Sequence, residues 1–148
     1  MTGAAPASGV WPAGLTGVTN VRIARPTGRL DEIRRFYVEG LGLPVIGRFE
    51  NHAGFSGIII GLPGLAYHLE FTQTIDAAID EGRAPTDDNN LVLYLRDAAS
   101  VASLADRLAA MGFAVVSSPN PYWDDHRAVA VADPDGWRLI LMPEVPDL

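Results

Sequence analysis

One order of extended and helical segments is written twice in this chain. "VTNVRIARP" reads as a strand, and "TGRLDEIRRFYVEGLGL" follows it with Leu30, Ile33, Phe36, Tyr37 and Leu41 at helical spacing and Gly40 placed as a stop. Three extended pieces come next, "PVIGRFE", "FSGIIIGL" and "AYHLEFTQ", parted by "NHAG" and "PGL". A polar stretch from Thr74 to Asn89 has linker composition, and after it the order returns. "LVLYLRD" is a strand, and "AASVASLADRLAAMG" is a helix with Val101, Leu104, Leu108 and Met111 inward. "FAVVSS", "HRAVAVAD" and "WRLILMP" are three more strands. The closing parts, "IIIGLPGLAYHLEF" and "VAVADPDGWRLILM", lie about 70 residues apart and each hold a proline turn between apolar strands.

This predicts an α+β chain of two tandem βαβββ modules. The period of two along each strand assigns the faces. Leu69 and Phe71, Leu91, Leu93 and Leu95, and Leu139 and Leu141 go under the helices. His68, Glu70 and Thr72 face away from them, as do Asn90, Val92 and Tyr94, and Arg138, Ile140 and Met142. The expected layout is an N-terminal arm over 1–17, which Trp11 and Leu15 can pin to the body, then one domain over 18–148. Within it, module one covers about 18–73, a linker 74–88 and module two about 89–143.

A net charge of -7 argues against nucleic acid and anionic membrane surfaces as partners. With no cysteine there are no disulfides, thiolate metal sites or cysteine nucleophiles, and a cytoplasmic location is expected. "MTGAAPASGVWPAG" lacks a basic start and a continuous apolar stretch, so no signal peptide is expected, and no run is long enough to span a membrane.

Two places attract chemical attention. In "YHLEFTQ", His68 and Glu70 share a strand face, a pairing suited to a divalent cation or to acid–base chemistry. In "SSPNPYWDDHR", read as a long hairpin connection, the adjacent rings of Tyr122 and Trp123 serve either as pocket wall or as loop anchors. Phe55, Tyr67, Tyr94, Met111 and Met142 are further wall candidates, Phe55 and Met111 being equally suited to the core. "DPDGW" is turn chemistry, with Asp133 as an acceptor and Trp137 as packing.

The module order, with "RRFYVEGLGLPV" after the first strand and "DPDGWRLILMP" near the end, resembles the vicinal oxygen chelate superfamily of glyoxalases, bleomycin-resistance proteins and extradiol dioxygenases. "VRIARPTGRLDEIRRFY", "YHLEFTQ" and "NPYW" resemble more narrowly a subgroup of small glyoxalase-like proteins of unassigned reaction. The resemblance spans about Val18 to Pro143. It implies two modules side by side around an open, barrel-like cleft, and a homodimer. Metal-using members draw ligands from the first and last strands of each module. The matching positions here are Arg22, Glu70, Asn90 and Ile140, and only Glu70 is of the usual ligand type. A tight site wants three or more N or O donors. His68 is the one neighbour placed to join Glu70, while His52 and His126 fall in loops. No cofactor is therefore expected, with a divalent metal as the alternative.

The cleft instead offers Arg22 and Glu70, either as an ion pair that fixes its shape or as ligand groups, since a buried carboxylate needs a cation or donors. The resulting expectation is a protein binding a small organic ligand through Arg22, His68, Glu70, Asn90, Tyr94, Tyr122, Trp123 and Arg138, for sequestration or resistance. The alternative is a lyase, isomerase or dioxygenase-type enzyme with Glu70 as metal ligand or general base.

Overall fold

The computed structural model describes residues 12–15 and 17–144, so Trp11 and most of the expected arm lie outside the described residues. Leu15, in a 3₁₀ turn (Ala13–Leu15), is 49% exposed, so burial does not pin it to the body. Two four-stranded mixed sheets follow, without a closed barrel. The first contains β1 (Val21–Pro26), β2 (Val45–His52), β3 (Phe55–Gly61) and β4 (Tyr67–Thr74) in the order β1-β4-β3-β2. The second contains β5 (Asn90–Leu95), β6 (Val115–Val116), β7 (Val129–Ala132) and β8 (Arg138–Pro143) in the order β5-β8-β7-β6. In each sheet the first strand runs parallel to the last, and the remaining pairs are antiparallel.

Strand register bears out the face assignment. Ile23 sits opposite Leu69 and Arg25 opposite Phe71 on one face, while Arg22 sits opposite His68 and Ala24 opposite Glu70 on the other. Leu69, Phe71, Leu139 and Leu141 join Ile33, Phe36, Val101 and Leu108 in a core cluster shared by both modules. Burying each such side chain contributes about 1.5–3 kcal/mol.

The first helix differs from the regular helix expected. α1 (Leu30–Arg34) continues as a π-helical segment (Arg35–Gly40), in which the Leu41 amide donates to the Phe36 carbonyl. The wider turn lets the adjacent rings of Phe36 and Tyr37 both reach the core, where they meet edge to face at 4.8 Å. The helical segment ends at Gly40 as expected, and the left-handed residue that follows its cap is Gly42, at φ 76°. Gly40 is buried, and a Cβ there would lie 2.8 Å from the Leu108 side chain on α2 (Ala98–Ala110), so it permits close helix–helix approach. α2 itself is capped by Asp97, which accepts from the Ser100 amide at 2.8 Å and is held below its ordinary pKa by that contact.

In module two the strands are shorter than expected. "FAVVSS" keeps only Val115–Val116, and "HRAVAVAD" enters its strand at Val129 because Arg127 is left-handed at φ 60°. The expected hairpin connection contains a short helix, α3 (Pro121–Asp125), with Pro121 in its first turn and the Asn120 side chain accepting from the Tyr122 amide.

The 74–88 stretch packs against both modules. Gly28 N–H donates to Glu81 O, Arg29 Nε to Ile79 O, Ala84 N–H to Asp135 O and Trp137 Nε1 to Gly82 O. Beneath it Asp133 joins the modules. Its Oδ1 accepts from the amides of Asp135 and Trp137, the turn role expected, while Oδ2 accepts from the Tyr37 hydroxyl and Arg25, both at 2.7 Å. Arg25 stacks on Phe71 and on Trp137, 4.8 and 4.4 Å from the ring centroids. Burial, together with Asp133, raises the Tyr37 pKa well above its ordinary value, so the hydroxyl remains the donor.

Asp135 is fully buried, with the Thr27 hydroxyl beside its carboxylate. Burial raises its pKa above the ordinary Asp value, aided by the Asp133 charge and opposed by the Thr27 hydroxyl, Arg25 and Arg29. A raised folded-state pKa means that this group's contribution is complete below the unfolded pKa and is lost as pH rises through the folded one. Asp135→Asn is expected to melt with the parent protein near about pH 4 and above it at about pH 7–8, as thermal denaturation across pH will read.

Candidate functional site

The face of the first sheet turned away from α1 carries three cross-strand rows. His68 lies opposite Gly61, Glu70 opposite Ile59, and Thr72 opposite Gly57, with β2 beyond. Glycines let large side chains lie across this face. A Cβ on Gly57 would come within 2.5 Å of the Phe49 ring, one on Gly61 within 2.9 Å of Ile46, and one on Gly47 within 3.2 Å of Ile59. Phe49, Ile46 and Ile59 thus form an apolar flank beside the polar row. The sequence reading missed this flank, although the glycines at 47, 57 and 61 were a visible signal for it.

On the polar side, Arg22 Nη1 stands 3.4 Å from Glu70 Oε2, with the two side chains 45% and 17% exposed. At that length and exposure the pair contributes under about 1 kcal/mol. Either partner can therefore exchange the other for a ligand group at little cost. His68 Nε2 lies 3.3 Å from Asn20 Nδ2. Glu70 and Asn90, from different modules, reach the same cavity of about 160 Å³ between the sheets, walled by Ile23, Tyr67, Leu91 and Trp137. Asn90 Nδ2 donates to Asp88, while its Oδ1 is buried without a partner among the described residues.

The remaining expected residues are dispersed. Tyr94 is on β5, 47% exposed. Tyr122 and Trp123 meet each other edge to face at 5.1 Å on α3, and Trp123 Nε1 is buried without a partner among the described residues. Arg138 Nη1 donates to Gly136 O, and Nη2 pairs with Asp87 at 3.3 Å. Tyr67 lines the cavity, whereas Met142 is 2% exposed and offers no open wall; Ile140 beside it is fully buried. Both point away from α2 yet are covered from solvent, so the floor of module two is more closed than the strand pattern implies. Phe55, at 45% exposure, is not core.

His52 ends β2, exposed, and His126 caps α3 with Nδ1 2.8 Å from Tyr122 O. Among the described residues no group of three His, Cys, Asp or Glu side chains comes together to hold an ion. At the four strand positions that bear ligands in metal-using superfamily members stand a guanidinium, a carboxylate, an amide and an aliphatic chain, and this donor set does not fit a resident divalent metal.

Comparison with known proteins places this geometry in a family. Residues 21–72 match the model of the YycE-like N-terminal domain and residues 88–143 that of the YycE-like C-terminal domain. The uncharacterized protein YycE of Bacillus subtilis (strain 168) is 48% identical over 122 residues, covering 82% of this chain and 86% of the relative. The crystal structure of a YycE protein of unknown function from Bacillus subtilis superposes with a TM-score of 0.80 at 45% identity, over 88% of this chain and 92% of that one. Two more distant structures share the fold alone. TnmS3, an antibiotic binding protein from Streptomyces sp. CB03234, has a TM-score of 0.61 at 21% identity, covering 87% and 98% of the two chains. The fosfomycin resistance protein FosX from Listeria monocytogenes, complexed with Mn(II) and a dihydroxypropylphosphonic acid, has a TM-score of 0.61 at 13% identity, covering 86% and 91%.

Proposed function

Because the chain belongs to the YycE-like family, within the vicinal oxygen chelate superfamily, we propose that it binds a small organic molecule between its modules, without a resident metal, for sequestration or resistance. The observation that carries this reading is Glu70. Its carboxylate is mostly shielded from water, makes one long and partly exposed contact with Arg22, and lines one cavity together with Asn90, whose Oδ1 is without a partner among the described residues, and with Ile23, Tyr67, Leu91 and Trp137. A ligand with an apolar body and N–H or O–H donors would meet the cavity wall and both acceptors, the Glu70 carboxylate and the Asn90 oxygen. Arg22 and His68 border the same row, whereas Tyr94, Tyr122, Trp123 and Arg138 lie outside the cavity lining and enter this reading only as residues a larger ligand would reach. The antibiotic-binding Streptomyces neighbour supports such use of the fold. The same reading includes assembly as a homodimer and a cytoplasmic location.

Native mass spectrometry of freshly isolated protein tests it. The expected spectrum shows a retained organic mass and no stoichiometric metal. Titration of the recovered molecule into Glu70→Gln is expected to give affinity about 10- to 100-fold weaker, the value of a hydrogen bond to a charged group. A stoichiometric metal lost on Glu70→Ala would replace this reading with a metal-dependent enzyme. Turnover of a carbonyl compound by metal-free protein, abolished by Glu70→Gln, would make Glu70 a general base.

A further inference from the structure

The cavity between the modules carries charge of both signs, and each charge is only partly used. Arg25 lines it from β1, with its guanidinium stacked on the rings of Phe71 and Trp137. Nη2 donates to Asp133 Oδ2 at 2.7 Å, whereas Nη1 and Nε make no hydrogen bond among the described residues. The side chain is only 15% exposed, so these spare donors are held in place by the rings and the carboxylate. Glu70 lines the same cavity. Its Oε2 has the long Arg22 contact, and its Oε1 has no partner among the described residues. Nη1 and Nε of Arg25 and Oε1 of Glu70 all remain open to solvent.

We propose that the ligand is a small zwitterion of the amino-acid class, its carboxylate on the spare donors of Arg25 and its ammonium on Glu70 Oε1. Charge balance selects this class. Arg25 is offset by Asp133 and Glu70 by Arg22, so the four groups sum to zero. A singly charged ligand would bring an unbalanced charge against walls formed by Ile23, Tyr67, Leu91 and Trp137, which is costly. A zwitterion adds one charge of each sign and keeps the sum at zero. The planar guanidinium also suits a carboxylate better than a lone acceptor. Size agrees, since about 150 Å³ of apolar cavity holds a benzene ring. The cavity here, about 160 Å³, therefore takes one aromatic or branched side chain. The proposal rests on the small-molecule reading and adds the chemical class of the ligand to it.

Titration calorimetry of the dialysed full chain with L-phenylalanine, phenylpropanoate and phenylethylamine tests it. The second probe lacks the ammonium and the third lacks the carboxylate. Varying the ligand leaves Arg25, on which the fold relies, untouched. At about pH 7, L-phenylalanine is expected to bind at least about tenfold more tightly than either analogue. Glu70→Gln is expected to weaken L-phenylalanine about tenfold and to leave phenylpropanoate unchanged. Either analogue binding as tightly as L-phenylalanine would overturn the assignment, as would Glu70→Gln weakening the amino acid and the acid equally. Absence of binding by all three at about 10 mM would overturn it too. The small-molecule reading would survive that result if native mass spectrometry shows a retained organic mass of another class, and would fall with it if none is retained.

Discussion

Asp133→Ala is expected to lower folding stability by about 3–5 kcal/mol, the cost of removing one partner from a buried ion pair. The side chain is fully buried and accepts four hydrogen bonds, from Arg25, Tyr37 and the amides of Asp135 and Trp137. Truncation leaves a cation held between Phe71 and Trp137 with no counter-charge, and a buried phenol with no acceptor. Asp133→Asn separates the two roles. It keeps an oxygen for the turn amides but loses the charge facing Arg25, so it should fall between the parent and alanine. Urea denaturation followed by tryptophan fluorescence reads both. Because Arg25 and Tyr37 belong to module one and Asp133 to module two, the unfolding transition should stay single in the parent. A broadened transition in the alanine variant would show the modules losing their coupling.

Gly82→Ala is expected to cost about 2–5 kcal/mol, although the residue sits in a stretch with the composition of a plain linker. Two effects add. Its φ of 78° lies in the left-handed region, which a Cβ disfavours, and the new methyl would overlap the Pro26 carbonyl oxygen at the end of β1. Backbone cannot rotate aside as a side chain can, so the 78–84 stretch must lift. Lifting it also threatens the Trp137 indole bond to Gly82 O. Gly64→Ala supplies the comparison, since its φ is 84° and nothing lies within 4 Å of a Cβ there. It should lose only the left-handed penalty, about 1–2 kcal/mol. Equal losses at both glycines would show that the linker does not press on β1.

Much of the fold was legible because alternation and helical spacing are local properties. His68 and Glu70 face away from Leu69 and Phe71 whatever the rest of the chain does, and the duplicated order of segments left one layered arrangement for both halves. Turn chemistry was equally local: Asp133 caps its turn through Oδ1 as the sequence implied. The other oxygen of the same carboxylate was not legible. Its partners, Arg25 and Tyr37, lie 108 and 96 residues away. Arg25 had looked like an ordinary charged residue at the end of a strand.

The candidate site divides along the same line. The sequence by itself carried the resemblance that sets Arg22, Glu70, Asn90 and Ile140 at the superfamily's ligand positions, of which only Glu70 is of the usual ligand type. Tertiary structure decided which of them meet. It brought Glu70 and Asn90 to one cavity, laid Phe49 and Ile46 over glycines, closed Ile140 and Met142 from solvent and set Tyr94 in the open. The physical reason is range. A period along one strand is fixed by backbone stereochemistry within a few residues, whereas burial and partnership depend on how closely separate elements approach, which here is set by small residues such as Gly40, Gly57 and Gly82.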